Sequence, residues 1–105
     1  MKTMLLLIAT VTFSAQSFAA VADATVDISQ FAFSPATIVV PVGTKVIWTN
    51  QDKVNHSVIG DAAKCKFSSA PLKQGDTFSY TFATPGTYSY HCGYHNYMTA
   101  TITVK

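Results

Sequence analysis

The chain has 105 residues, of which 49% are hydrophobic and 11% charged, and its formal net charge at pH 7 is +2. Proteins that bind phosphate-rich partners usually carry a concentrated stripe of basic residues. The seven basic residues here, all of them Lys, are spread along the chain. The composition therefore argues against nucleic acid as a partner.

The first 22 residues have the three parts of a secretory signal peptide: the charge of Lys2, an apolar run over residues 4–11, and small residues after it. Cleavage after Ala19 and cleavage after Ala22 both fit the small-x-small rule. A membrane-spanning helix needs roughly 18 uninterrupted apolar residues. Polar residues interrupt this stretch at Thr10, Thr12, Ser14, Gln16 and Ser17. No Cys follows closely as a lipid anchor, so we predict a periplasmic protein without a membrane anchor.

Removal of the signal peptide leaves about 85 residues, which is enough for one domain and too few for two. We assign residues 23–105 to that domain. From residue 24 onward, apolar residues alternate with polar ones, and β-branched and aromatic residues dominate. The alternating sets are Val26 and Ile28, Ile38 and Val40, Val46 and Trp48, Phe78 with Tyr80 and Phe82, Tyr88 and Tyr90, and Ile102 and Val104. Turn signals separate these runs, so we predict an all-β sandwich or barrel of seven or eight strands.

Three metal-binding residue types lie three residues apart near the end of the chain. Cys92, His95 and Met98 fall between two predicted strands, where a tight loop turns them toward one point. A trigonal site of two His and one Cys with a weak axial Met is a type 1 copper centre. His56 is the candidate second His, and its distance in sequence is no obstacle, because a Greek-key sandwich can bring an early strand beside the last ones. We therefore predict one copper ion, bound by His56, Cys92, His95 and Met98.

Each of these residues has an ordinary explanation when taken singly. A lone Met is usually core filler, and a lone Cys is usually buried and inert. Their shared spacing favours the metal site. His91 directly precedes Cys92 in a strand, so its side chain should point to the opposite face.

The second cysteine, Cys65, leaves an alternative open. On the cysteine count alone, a bridge from Cys65 to Cys92 is the plain interpretation for an exported protein. A thiolate that binds metal cannot also form a disulfide, so we predict that Cys65 is a free thiol. A disulfide in the copper-free protein stays open.

The mature chain resembles the cupredoxins, which are plastocyanin-like blue copper proteins, over nearly all of its length. The segments that carry the resemblance are FAFSP at 31–35, VGT at 42–44, VIWTN at 46–50 and PGTYSYHC at 85–92. Two residues separate Cys92 from His95, and two separate His95 from Met98, as in the short ligand loop of the amicyanin branch of the family. Tyr94 and Asn96 stand where amicyanin loops have Pro, and Ser57 stands where Asn is typical.

The resemblance implies an eight-stranded Greek-key sandwich. His56, Cys92 and His95 would be the strong equatorial copper ligands and Met98 the weak axial one. It also implies that the edge of His95 reaches the surface, where electrons enter and leave. We expect Val54, Tyr94 and Tyr97 to form a modest apolar patch around it.

We therefore predict a small soluble electron carrier, monomeric and not an enzyme, that cycles between Cu(II) and Cu(I). Its partners would be redox proteins such as a dehydrogenase, a cytochrome c or an oxidase. The alternative is a periplasmic copper-binding or copper-delivery protein on the same fold. Copper-delivery sites often have open, Met-rich or Cys-rich coordination, whereas this chain offers a closed four-donor set. A metal-free interaction module is a third possibility, but it would lack a ligand.

Overall fold

A computed structural model describes residues 21–63 and 66–105. The strands of these residues are β1 (Ala24–Ser29), β2 (Ala32–Ser34), β3 (Thr37–Val40), β4 (Thr44–Asn50), β5 (Ile59–Gly60), β6 (Thr77–Phe82), β7 (Gly86–His91) and β8 (Thr99–Val104). This part of the chain contains no helix that could cross a membrane. The predicted signal peptide, except for its last two residues, and the predicted free thiol of Cys65 lie outside the described residues, and both stay predictions.

The strands form two four-stranded sheets, in the orders β2-β1-β4-β6 and β3-β8-β7-β5. Two pairings are parallel, β1 with β4 and β3 with β8, and the other strand pairings are antiparallel. Strands that are distant in sequence thus become neighbours, as in Greek-key folds. The predicted all-β sandwich is confirmed.

The core lies between the two sheets and is rich in aromatic side chains. Trp48 is fully buried, stacks on Phe67 with ring centroids 5.8 Å apart, and meets Tyr90 edge-on at 5.5 Å. Such pairs contribute about 0.5–1.5 kcal/mol each beyond the area they bury. Alternation along β7 buries Tyr88 and Tyr90, and the next inward position is Cys92. The strand therefore points the thiol into the protein.

The turn between β1 and β2 has an unusual backbone. Gln30 and Phe31 both have positive φ angles, of 53° and 58°. A two-residue hairpin turn with positive φ at both positions normally contains Asn and Gly, because bulky residues are disfavoured there. The turn nevertheless places an aromatic ring at one end of the sandwich, beside His56 and His95.

Candidate metal centre

His56 lies outside the named strands but forms an isolated antiparallel bridge with Leu72. Its N–H donates to the carbonyl of Leu72 at 3.1 Å, and the Leu72 N–H donates back to the carbonyl of His56 at 2.8 Å. The buried amide of Asn50 donates to the carbonyls of Val54 and Leu72, at 2.9 and 2.8 Å. These bonds fix the segment after β4, and the His56 side chain is fully buried.

The loop between β7 and β8 carries the other three predicted ligands. The N–H of Cys92 donates to the carbonyl of Met98 at 3.0 Å, and the N–H of Met98 donates to the carbonyl of His95 at 3.0 Å. The loop therefore closes on itself across the three residues. Cys92 and Met98 are buried, while His95 is partly exposed. Cys92 carries a free thiol.

The structure brings His56, Cys92 and His95 together. Their ligand atoms all lie within 4.8 Å of one another. The Nδ1 atoms of His56 and His95 lie 3.6 and 3.7 Å from Cys92 Sγ. A metal ion about 2.0 Å from nitrogen and about 2.3 Å from sulfur, as in zinc sites, separates the two donors by about 3.7 Å in a trigonal arrangement. The donor set therefore fits a trigonal metal ion, and Met98 lies buried at the far end of the loop.

Ser57 joins the His56 segment to the ligand loop through two contacts. Its N–H donates to Cys92 Sγ at 3.4 Å, and its Oγ accepts the N–H of Gly93 at 2.8 Å. A Cβ atom on Gly93 would lie 2.7 Å from Ser57 Oγ, so only glycine fits without a shift. Hydrogen bonds to a ligating sulfur tune the reduction potential of copper sites.

A carboxylate that the sequence reasoning missed lies behind His56. Asp52 Oδ2 is 2.8 Å from His56 Nε2, and the Asp52 carboxylate also accepts the N–H groups of Gln30 and Phe31. Burial raises the pKa of Asp52, but the two N–H groups and His56 outweigh it, so the pKa lies below its ordinary value. The available signal was an Asp four residues before the candidate His.

His91 lies on the face opposite to Cys92, as the alternation predicts. Its Nδ1 is 2.6 Å from Asp61 Oδ1, and both side chains are partly exposed. It is not part of the cluster of candidate ligands among the described residues.

Comparisons with known proteins identify the family of this chain. The Cupredoxin-like domain family matches residues 2–104. The chain belongs to the cupredoxin family. Amicyanin from Paracoccus denitrificans is 33% identical over 86 residues, which cover 76% of this chain and 63% of the relative, so the chain spans less than two thirds of that relative's length.

Two solved structures extend the comparison. A purple cupredoxin from Nitrosopumilus maritimus superposes with a TM-score of 0.71 and 34% identity, over 79% of this chain and all of that one. A copper-containing nitrite reductase from Thermus scotoductus SA-01 superposes with a TM-score of 0.75 and 28% identity, over 80% of this chain and 22% of the enzyme. This cupredoxin therefore corresponds to only a small part of the enzyme chain.

Family membership and the His-Cys-His donor set together indicate one type 1 copper ion as the cofactor of this cupredoxin. The solvent side of the site is aromatic. The rings of Phe31, Tyr97 and Tyr94 lie 5.1, 5.9 and 6.4 Å from the His95 ring. We call these three residues the aromatic rim. All three are exposed, as is Val54, and Phe31 was not among the residues predicted to surround His95.

Proposed function

We propose that this cupredoxin is a small exported carrier of single electrons, and that His56, Cys92, His95 and Met98 bind its copper ion. The observation that carries the proposal is the convergence of two imidazole Nδ1 atoms on one buried thiol, at 3.6 and 3.7 Å. Two His, one Cys and a nearby Met are the donors of a type 1 copper centre.

When bound, copper supplies a one-electron couple between Cu(II) and Cu(I). The residues of the chain supply rigidity. His56 and Cys92 are fully buried, and both are tied through Ser57, whose own side chain is buried. Because the donors are held before metal arrives, little rearrangement accompanies a change of charge, as fast electron transfer requires.

Electrons would enter and leave at His95, the most exposed of the four proposed ligands. The aromatic rim around it offers apolar area to a partner. Transient redox encounters bury less than about 1,200 Å² in total, which a patch of this kind can provide. The net charge of +2 argues against strong electrostatic steering. A dehydrogenase, a cytochrome c or an oxidase would suit a monomeric carrier of this kind.

Export and domain boundaries form part of the same proposal. Residues 1–22 would act as a signal peptide, and residues 23–105 would be the periplasmic blue copper domain. Intact mass spectrometry of the secreted protein would reveal a chain that begins at Ala20 or at Asp23. A full-length chain with Met1 in the purified periplasmic fraction would contradict cleavage.

The copper site is tested by its visible spectrum. Purified protein loaded with one equivalent of Cu(II) should show an intense thiolate-to-copper absorption band and reversible one-electron voltammetry. Cys92→Ser should abolish the band, and the matched control Cys65→Ser should leave it unchanged. Colourless stoichiometric binding would contradict the carrier. Irreversible redox with ready transfer of Cu(I) to an acceptor would favour copper delivery instead.

A further inference from the structure

One carboxylate connects three segments of the chain at the metal centre. Asp52 Oδ2 lies 2.8 Å from His56 Nε2 and accepts the N–H of Phe31 at 3.0 Å. Asp52 Oδ1 accepts the N–H of Gln30 at 2.8 Å. The Asp52 side chain is 16% exposed; its contact with His56 is partly buried, whereas its bonds to Gln30 and Phe31 lie at the surface.

We propose that Asp52 is a positioning residue of the copper centre, which sets the orientation of His56 and holds the Phe31 ring over both imidazoles. The inference rests on the proposed function, because it takes His56 as a copper ligand. It adds a residue that is itself no ligand and that belongs to none of the motifs that carry the cupredoxin resemblance.

The orientation of His56 follows from what a carboxylate can do. An ionised carboxylate only accepts hydrogen bonds, so the hydrogen must be on His56 Nε2. In the neutral ring the lone pair is then on Nδ1, the atom that lies 3.6 Å from Cys92 Sγ. A carboxylate partner on the distal nitrogen of a ligating His fixes the ring and raises its basicity.

The β1–β2 turn supplies an independent reason to assign Asp52 this role. Two non-glycine residues with positive φ cost free energy, and such outliers persist only when their surroundings hold them. The N–H groups of those two residues, Gln30 and Phe31, are the ones that Asp52 accepts. The bonds therefore offset the cost of a conformation that points Phe31 toward the site.

The ring of Phe31 uses that conformation to contact both imidazoles. It meets His56 edge-on at a centroid distance of 5.4 Å and His95 edge-on at 5.1 Å. One carboxylate thus fixes a buried imidazole and also the aromatic side chain that covers it. Loss of the carboxylate should loosen both.

The matched pair of variants is Asp52→Asn and Asp61→Asn. Asn has the size of Asp but replaces one acceptor oxygen by an NH₂ group, so at least one Asp52 contact must be lost. Asp61 also pairs with a His, but that residue is His91 on the outer face. Both variants remove one negative charge, and only one of them touches a candidate ligand.

We expect Asp52→Asn to lower the affinity for Cu(II) 10- to 100-fold in chelator competition, the usual loss for a partner of a ligating His. The reduction potential should rise, because removal of a negative charge beside the site disfavours Cu(II). Asp61→Asn should change the affinity by less than about twofold, well below that range. Equal changes in the two variants, or none in Asp52→Asn, would overturn the proposal.

A second measurement uses metal-free wild-type protein and needs no variant to fold. Nitrogen-15 NMR should show a slowly exchanging Nε2 proton on His56 and protected amides at Gln30 and Phe31. Rapid exchange at all three would contradict the role of Asp52, whether or not the protein binds copper. Failure of the wild type to bind copper would instead overturn the proposed function, so the two failures are distinguishable.

Discussion

The two imidazoles of the candidate copper site differ in how the protein holds them. His56 is fully buried, bridged to Leu72 through its backbone, and bonded to Asp52 through its second ring nitrogen. His95 belongs to a short loop, is partly exposed, and lies among the rings of the aromatic rim. His56 is therefore held rigidly in the interior, whereas His95 is accessible at the surface.

This difference shows how one site can be rigid and still accessible. A site buried on all sides would be slow to exchange electrons, and a site built on loops alone would rearrange with each change of charge. Here the hydrogen-bonded segment after β4 and the end of β7 hold one imidazole and the thiol, and only the loop imidazole meets the surface.

Replacement of each His by Gly should give the largest contrast. Both His56→Gly and His95→Gly should lose the thiolate-to-copper band. Added imidazole should restore it in His95→Gly, because the gap opens to solvent, and not in His56→Gly, where the gap is internal. His56→Gly should also lower the free energy of unfolding of the metal-free protein by about 3 kcal/mol, through a cavity and the unpaired Asp52.

If imidazole restores the thiolate-to-copper band equally in both variants, the two His positions do not differ in access to solvent. Urea unfolding of metal-free His95→Gly is the control, because a partly exposed loop residue should contribute less than about 1 kcal/mol. A loss as large as that of His56→Gly would mean that His95 is also an anchor.

The contact between Ser57 and Gly93, which joins the His56 segment to the ligand loop, should give the next largest effect on stability. A methyl group at Gly93 collides with Ser57 Oγ at 2.7 Å, so Gly93→Ala should destabilise the protein by about 2 kcal/mol. Ser57→Ala alone removes one hydrogen-bond acceptor and should cost about 1 kcal/mol. In the double variant the collision is absent, so the combined loss should be clearly smaller than the sum. Additive losses in urea unfolding would contradict a direct contact.

The aromatic rim should affect exchange with partners and leave the metal centre unchanged. Tyr97, the most exposed residue of the rim at 67%, is the sharpest choice. Tyr97→Ala should slow electron self-exchange about tenfold, since Tyr is enriched among the interface residues whose truncation costs more than about 1 kcal/mol. Its visible spectrum should match that of the wild type. Val39→Ala removes an apolar side chain of β3 that is 58% exposed and should leave the rate unchanged; a similar loss there would mean that the rim has no special role.

The sequence indicated different parts of the site with unequal strength. Cys92, His95 and Met98 form a local pattern, so their spacing pointed to the loop directly. His56 required a fold that brings distant segments together, and its assignment depended mainly on the resemblance to the cupredoxins. Asp52 and Phe31 were not predicted to be part of the site, because their contact spans 21 residues and depends on a turn whose sequence lacks the usual Asn-Gly signal.

Strands that depend on contacts distant in sequence were also missed. The six strands with clear alternation were located in the sequence, and their inward residues are buried or half-buried in the structure. Two others, Ala32–Ser34 and Ile59–Gly60, have three and two residues. A period of two cannot be detected over so few positions. They form through pairing with β1 and β7, which is tertiary information.

The smallest expected effect is a pH-dependent loss of stability caused by the buried Tyr90, with the exposed Tyr97 of the rim as its comparison. Burial raises the pKa of Tyr90 to about 12, and the Trp48 side chain acts weakly in the opposite direction. In the unfolded chain Tyr titrates near about 10. Between these values the unfolded state releases a proton that the folded state keeps, so stability is complete below pH 10 and falls as the pH rises toward 12.

At pH 10.5 the loss attributable to Tyr90 should be about 1 kcal/mol. It is measured as the difference between the wild type and Tyr90→Phe in urea unfolding at pH 8 and pH 10.5. Tyr97→Phe is the control, because it removes the same hydroxyl from a side chain that is 67% exposed. If Tyr90→Phe and the wild type lose stability in parallel, the Tyr90 hydroxyl is accessible to water. The water-free part of the core beside the site would then not include Tyr90, although it would still include Cys92.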